Sequence, residues 1–180
     1  MKKAIILLLA VCILCSAAGC SGINDISSLS SSAEKVFTLD SYHLQITADR
    51  TFQENTGGSF DLQITNENAY ISIMAYHYID LPENTTGQDV YDLQNEDLFS
   101  KREAVTLIEG DETQTLSQGT VTYGLHSAER DGVKNYYATY LVDLPEKETL
   151  AWVLVTAIPS YYQNNMEYLH NIVCSLTAMQ

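Results

Sequence analysis

Three consecutive strand-like segments between residues 119 and 159 constrain the fold more than any other stretch of the chain. β-Branched and aromatic residues dominate all three segments, and turn-forming residues separate them. Asp131 and Gly132 lie between the first two segments, and both residue types tolerate positive φ. This pair therefore predicts a tight hairpin, and an antiparallel meander is the expected centre of the fold.

The third segment is apolar on both of its alternating faces. Trp152, Leu154 and Ile158 share one face, whereas the other face carries Ala151, Val153, Val155 and Ala157. A strand of this kind has to be covered on both sides. We therefore expect a central strand with further layers above and below it.

A hairpin and a helix are predicted before the meander. Residues 59–65 alternate between apolar and polar side chains, and residues 69–79 form a long apolar return strand. Thr86 and Asp89 then give a capping-box pattern at the start of a helix over residues 88–100. Its expected buried face carries Val90, Leu93 and Leu98.

A second helix is predicted at the end of the chain, with Ser160 as its N-cap. Met166, Leu169, Val173 and Leu176 recur at helical spacing and predict a buried stripe. The element order predicts an α/β (α+β) sandwich. Its sheet is mainly antiparallel with about six to seven strands, and the mid-chain and C-terminal helices pack on it.

The first residues have the features of a secretory signal peptide. Lys2 and Lys3 precede a twelve-residue apolar run, residues 4–15, and small residues follow it. Such a run spans about 18 Å as a helix, short of the roughly 30 Å of a bilayer core. Residues 1–19 are therefore predicted to be a signal peptide rather than a membrane-spanning helix.

The sequence Ala17-Ala18-Gly19-Cys20 resembles the lipobox of bacterial lipoproteins. The resemblance implies cleavage between Gly19 and Cys20. It also implies a diacylglycerol thioether on Cys20, with palmitate-type chains that anchor the protein at the extracytoplasmic face of the cell membrane. Ordinary secretion with a free Cys20 is the alternative. Residues 20–35 then form a serine-rich tether, and residues 36–180 form a single domain.

Cysteine and charge limit the kinds of partner. Cys12 and Cys15 leave with the signal peptide, so only Cys174 accompanies Cys20, and no disulfide framework is expected. The formal net charge is −14, which argues against a nucleic-acid partner because phosphates would be repelled. Acidity suits a cation, yet the carboxylates are dispersed along the chain, as expected for a solvated surface.

The element order and several segments resemble the PsbP-like fold, which also occurs in bacterial DcrB-like lipoproteins. Residues 42–52 resemble the start of that family, an aromatic strand followed by an aromatic anchor, here Phe52. The helix at residues 88–100 and the terminal helix at 168–176 lie where the family places them. The resemblance implies an accessory or binding role without catalysis, and it identifies no ligand.

No pattern of catalytic or cofactor-binding residues is present in the sequence. His43, His77, His126 and His170 do not stand at metal-ligand spacing from one another. A nucleophile elbow, a Walker loop and a dinucleotide fingerprint are also missing. We therefore predict a non-enzyme without a cofactor, and we expect His77 to be a hydrogen-bonded, largely buried side chain.

Two groups of residues are candidates for binding, a set of tyrosines and a set of acidic residues. Tyr70, Tyr76 and Tyr78 share a strand face and would suit recognition of a protein, peptide or glycan, unless they pack under the mid-chain helix.

Glu109, Asp111 and Glu112 form an acidic break after a short strand at residues 105–108, and they could begin a Ca²⁺ or Mn²⁺ site. The leading hypothesis is a lipid-anchored binding module. A divalent-metal-binding protein is the alternative.

Overall fold

The computed structural model describes residues 34–179, which form ten strands and two α-helices. The helices are α1 (Gly87–Ser100) and α2 (Pro159–Cys174). The strands are β1 (Glu34–Leu39), β2 (Leu44–Asp49), β3 (Gln53–Glu54), β4 (Leu62–Thr65), β5 (Ala69–His77), β6 (Glu103–Leu116), β7 (Gly119–Arg130), β8 (Val133–Leu144), β9 (Thr149–Ala157) and β10 (Thr177–Ala178).

These strands make two antiparallel sheets. The larger sheet has seven strands in the order β3-β4-β5-β9-β8-β7-β6, and the smaller has three in the order β1-β2-β10. Strand β9 is the middle strand of the larger sheet, as the sequence predicted, and it is buried almost throughout. The predicted α+β class, the antiparallel sheet and both helices are confirmed.

Different layers cover the two faces of the seven-stranded sheet. Helix α2 and the small sheet pack on the face that carries Ala151, Val153 and Val155. Helix α1 packs on the opposite face, against Trp152 and Leu154. The two-sided apolar pattern of β9 thus predicted both layers correctly, although Ile158 leaves the sheet and is exposed.

The β7–β8 hairpin has the predicted tight turn. Asp131 and Gly132 adopt φ values of 54° and 76°, the positive range that this pair was expected to supply. The register then runs without a break from Arg130–Val133 to Thr120–Asp143. Turn chemistry therefore fixes how the two longest regular strands align.

The capping box of α1 is confirmed. The Thr86 side chain accepts from the Asp89 amide at 3.2 Å, and Asp89 Oδ2 accepts from the Thr86 amide at 2.7 Å. The predicted buried face was wrong in one position, because Leu93 is 63% exposed and Tyr91 is buried instead. Tyr91 is therefore the aromatic residue that α1 places against the sheet.

Helix α2 begins two residues earlier than predicted. Pro159 occupies its first turn after Ile158, and no side chain caps it, so Ser160 is not the N-cap. Leu169, Val173 and Leu176 are buried as predicted, whereas Met166 is 44% exposed. Asn165 has non-helical backbone angles inside α2. The side chains after Asn165 are therefore rotated about the helix axis from the positions that a regular helical repeat would give them.

Strand β6 corrects the prediction of a short strand at residues 105–108 that is broken from Glu109 onward. The strand continues to Leu116 through three register shifts against β7. These irregularities accommodate residues that a regular ladder could not pair. Because β6 is an edge strand with one neighbour, the sheet tolerates them.

The small sheet adds pairing that was not predicted. Residues Tyr42 and His43 precede β2 rather than lie in it, and β2 pairs with both β1 and β10. Cys20, Gly19 and the predicted signal peptide and tether lie outside the described residues. Within residues 34–179, neither helix has the length and apolar character needed to cross a bilayer.

Candidate functional site

A groove of about 360 Å³ lies on the α1 face of the large sheet, beyond the C-terminal end of that helix. We call it the α1-end groove. Helix α1 covers the sheet around Trp152 and stops at Ser100, and within residues 34–179 no other helix covers the sheet surface beyond it. Eleven side chains line the groove: Phe60, Gln63, Tyr70, Ser72, Leu98, Arg102, Arg130, Asn135, Tyr137, Leu154 and Thr156.

Strand register places the floor of this groove. Tyr70 and Tyr137 pair with Thr156 from opposite sides, so the three residues form one row across β5, β9 and β8. Ser72 pairs with Leu154 in the next row. Residues that are distant in sequence therefore share one face because antiparallel partners point the same way.

Arg102 forms the wall next to α1. Its guanidinium donates to the backbone oxygen of Leu98 and stacks over the Tyr137 ring at 4.6 Å. The Nε atom is buried and has no hydrogen-bond partner among residues 34–179. Within that range, Arg102 also lacks a carboxylate at salt-bridge distance. The guanidinium is thus held in place with donor capacity unused.

Arg130 contributes a second cation from the end of β7. Its side chain is 68% exposed and lies 3.7 Å from Asp131 Oδ2, a long contact between two solvated groups. An exposed pair of this kind stabilises little and can be exchanged readily. Arg130 is therefore free to reorient toward a ligand.

A short polar chain fixes the other wall. Asn55 Nδ2 donates to Gln63 Oε1 at 2.7 Å, and Gln63 Nε2 donates to Ser72 Oγ at 2.7 Å. Ser72 is 2% exposed. The amide of Gln63 is thus oriented by partners on both sides before any ligand binds.

Beneath α1, a polar cluster attaches the helix to the sheet. The Tyr91 hydroxyl donates to Asp111 Oδ1 at 2.8 Å and lies 3.0 Å from Thr139 Oγ1. Gly124 makes room for the pair, since a Cβ there would lie 2.4 Å from Asp111 Oδ1. Burial raises the pKa of Tyr91 to about 12, so the hydroxyl remains a proton donor at physiological pH.

Replacing Tyr91 with phenylalanine should lower the free energy of unfolding by about 1–3 kcal/mol, because Thr139 and Asp111 lose their shared partner. Tyr140→Phe is the matched control. Its hydroxyl is buried without a partner among the described residues, so its removal should be neutral or stabilising. Urea unfolding measures both. Equal losses in the two variants would contradict the hydrogen-bonding pattern.

His126 and His170 should make stability depend on pH. Burial lowers the pKa of both below 6.5, and nearby Asp111 only partly offsets this for His126. The unfolded chain then binds protons at a higher pH than the folded chain. Stability should therefore fall as the pH drops below about 6.5 and level off below the folded pKa values.

Urea unfolding between pH 7.5 and 5 checks this expectation. A His126→Gln/His170→Gln double variant should show a flatter profile over the same range, because the groups that bind the extra protons on unfolding are gone. An unchanged slope in the double variant would mean that other groups cause the pH dependence.

The opposite face of the sheet contains a second aromatic cluster under α2. Tyr123 donates to Glu109 Oε2 at 2.9 Å and lies 3.3 Å from the Tyr162 hydroxyl. Burial raises the pKa of Tyr123 and of Tyr140 well above the usual tyrosine range. With α2 packed over it, this cluster is part of the core.

The three predicted tyrosines do not form one exposed face. Tyr70 is 48% exposed and lines the α1-end groove. Tyr76 and Tyr78 are half-buried against the α1-side core, and the Tyr78 hydroxyl donates to Asp143. Tyr70 is therefore the member of the set that a partner can reach.

The acidic candidates for a metal site point to different faces of β6. Glu109 bonds to Tyr123 on the α2 side, whereas Asp111 bonds to Tyr91 on the α1 side. Glu112 pairs with Tyr123 in the register. Among residues 34–179, no three carboxylate, histidine or cysteine side chains are grouped as metal ligands. Calorimetric titration with Ca²⁺ would test this alternative directly.

The predicted hydrogen bonding of His77 is confirmed, although the residue is half-buried. Its Nδ1 lies 3.3 Å from Thr149 Oγ1, and its Nε2 lies 3.4 Å from the Ser41 backbone oxygen. The ring also packs 5.0 Å from that of Tyr42. These contacts tie the large sheet to the turn before β2.

Sequence reasoning missed most of the α1-end groove, including Arg102, Arg130 and Tyr137. A signal was available, because arginine is rare here and two of the three arginines border predicted elements. Arg102 follows the predicted mid-chain helix, and Arg130 precedes the Asp131-Gly132 turn. Nothing in the sequence indicated that the two lie on one face of the sheet.

No protein-family model and no curated protein sequence matches this chain. Solved structures do match, among them the three described next. PsbP from the cyanobacterium Synechocystis has a TM-score of 0.60 at 9% identity, covering 91% of this chain and 99% of that one. The Ran-binding protein Mog1p from Saccharomyces cerevisiae has a TM-score of 0.54 at 12% identity, covering 82% and 96%.

A protein of unknown function from Pseudomonas aeruginosa has a TM-score of 0.50 at 8% identity, covering 82% of this chain and 98% of that one. The chain is thus an α+β sandwich built on an antiparallel sheet. More narrowly, its fold is PsbP/Mog1-like. The order of predicted elements indicated the PsbP-like fold. Identities this low show the fold alone.

Proposed function

We propose that this chain is a non-catalytic binding or accessory module, anchored through lipidated Cys20 at the extracytoplasmic face of a bacterial cell membrane. The membrane-anchoring part of this proposal rests on the apolar segment of the predicted signal peptide and on Gly19 and Cys20, which follow it. Two acyl chains hold a protein stably, where one chain binds only marginally. The serine-rich residues 20–35 would then space the domain from the bilayer.

The binding half rests on the α1-end groove. It combines an open sheet surface, the exposed Tyr70 ring and two arginines with amide and hydroxyl groups. Concave sites that mix apolar walls with a few oriented polar groups are typical of ligand binding. The yeast neighbour is a Ran-binding protein, so a chain with this fold binds a protein partner in that case. Photo-crosslinking from Tyr70 tests this half.

A Cys20→Ala variant tests the anchor. The unchanged protein should sediment with membranes and carry the mass of a diacylglycerol group, because the thioether forms at the Cys20 sulfur. The variant should lack both the added mass and the membrane association. Cys174→Ala is the control and should behave as the unchanged protein. Soluble, unmodified protein in every case would mean simple secretion.

A further inference from the structure

We propose that the α1-end groove binds the free C-terminal carboxylate of a peptide whose last side chain is apolar. This inference rests on the proposed binding role and adds the chemical class of the ligand. It follows from the charge of the groove, the state of Arg102 and the apolar surface beside it.

The charge of the groove is opposite to that of the chain. Aspartate and glutamate outnumber lysine and arginine by 23 to 9, yet among residues 34–179 the charged residues that line the groove are Arg102 and Arg130, both cationic. A cationic groove in an acidic protein attracts anions selectively, because the rest of the surface repels them. The ligand is therefore anionic.

The Arg102 side chain is held in a position from which it can bind a carboxylate. The Leu98 backbone oxygen and the Tyr137 ring hold its guanidinium, so little conformational freedom is lost on binding. Its Nε is buried without a partner among the described residues, so a ligand would reach the guanidinium through its two terminal nitrogens, of which Nη1 already donates to the Leu98 oxygen. The planar fork of a guanidinium matches the two oxygens of a carboxylate.

Apolar surface adjoins this cation. Phe60 is half-buried and lines the groove, and Leu98 and Leu154, at 8% and 5% exposure, form the packed layer behind it. A carboxylate next to an apolar side chain is the chemistry of a peptide C-terminus. A uronic acid also carries a carboxylate, but its hydroxyl groups would leave polar atoms unpaired against the Phe60 ring.

The groove also offers groups for a peptide backbone. Gln63 is oriented by Asn55 and Ser72, and Asn135 stands on the opposite side, toward Arg130. A volume of about 360 Å³ lies at the low end of ligand pockets. It accommodates the end of a chain, and the open side at Tyr70 lets the preceding residues leave.

Titration of the full chain in detergent with N-acetyl-Ala-Ala-Phe tests the proposal. The free acid should bind at least tenfold more tightly than the C-terminal amide, because the amide cannot accept charge-assisted hydrogen bonds from the guanidinium. Arg102→Gln should reduce affinity for the free acid by a similar factor. Arg50→Gln is the matched control, since Arg50 is exposed and outside the groove, and should leave affinity unchanged.

Four results would overturn the inference. Equal binding of acid and amide would show that the carboxylate is not recognised. Complete competition by inorganic phosphate or glucuronate at concentrations similar to the peptide would indicate an anion or acidic-sugar site. An Arg102→Gln variant with unchanged melting temperature and unchanged affinity would remove Arg102 from the site. If no peptide binds while Tyr70 still crosslinks to a partner in cells, the binding role stands and this inference fails.

Discussion

Replacing Trp152 with alanine should lower the free energy of unfolding by about 3–5 kcal/mol, the usual cost of removing a buried tryptophan side chain. Trp152 is 2% exposed on the middle strand β9, where it packs under α1, and its indole Nε1 donates to Asn95 Oδ1 at 3.1 Å. The substitution would leave a cavity between sheet and helix. Because whole domains are stable by about 5–15 kcal/mol, the loss is a large fraction of the total.

Trp152→Phe is the control, because it retains an aromatic ring and removes the indole donor. The expected loss is smaller, since Asn95 is half-buried and its amide can turn to water. Urea unfolding followed by circular dichroism measures both variants. A Trp152→Ala loss below about 1 kcal/mol would show that α1 does not pack on β9 as described.

Gly119→Ala should lower the free energy of unfolding by about 3 kcal/mol, at the upper end of the usual cost of overpacking. A Cβ at this position would lie 1.8 Å from the Asp143 backbone oxygen. Backbone cannot rotate away as a side chain can, so the β7–β8 ladder has to shift. The same shift would disturb the bond from Tyr78 to Asp143.

Gly110→Ala is the control for Gly119→Ala. Apart from its chain neighbours, no atom of residues 34–179 lies within 4 Å of a Cβ at position 110, on the exposed edge strand β6. That substitution should be neutral or slightly stabilising, since alanine restricts the unfolded chain more than glycine does. Thermal unfolding compares the two. Similar melting temperatures would show that the register at Gly119 is wrong.

The meander could be predicted because its signals are local. Asp131-Gly132 specifies a turn through two φ values, and β9 specifies its central position through the apolar residues on both faces. The α1 boundary was equally predictable, since Thr86 and Asp89 are three residues apart. These two signals act within a few residues and therefore depend little on the tertiary arrangement.

The α1-end groove could not be predicted, because it depends on register between distant strands. Tyr70, Thr156 and Tyr137 become neighbours only when β9 lies between β5 and β8. Strand β6 was missed for a related reason. In the sequence, its acidic residues indicated a break after a short strand. In the structure, irregular pairing with β7 accommodates them within one strand. Helical spacing likewise could not show that α1 buries Tyr91 rather than Leu93.

The central claim is that the α1-end groove binds a partner outside the cytoplasm. Benzoylphenylalanine placed at Tyr70, on the rim of the groove, tests it in intact cells, with Leu93 as the control position. Leu93 is exposed on α1 and outside the groove. The proposal predicts that membrane-fraction protein forms a discrete crosslinked adduct from position 70 and none from position 93. The absence of an adduct at position 70, or the same adduct at both positions, would contradict it.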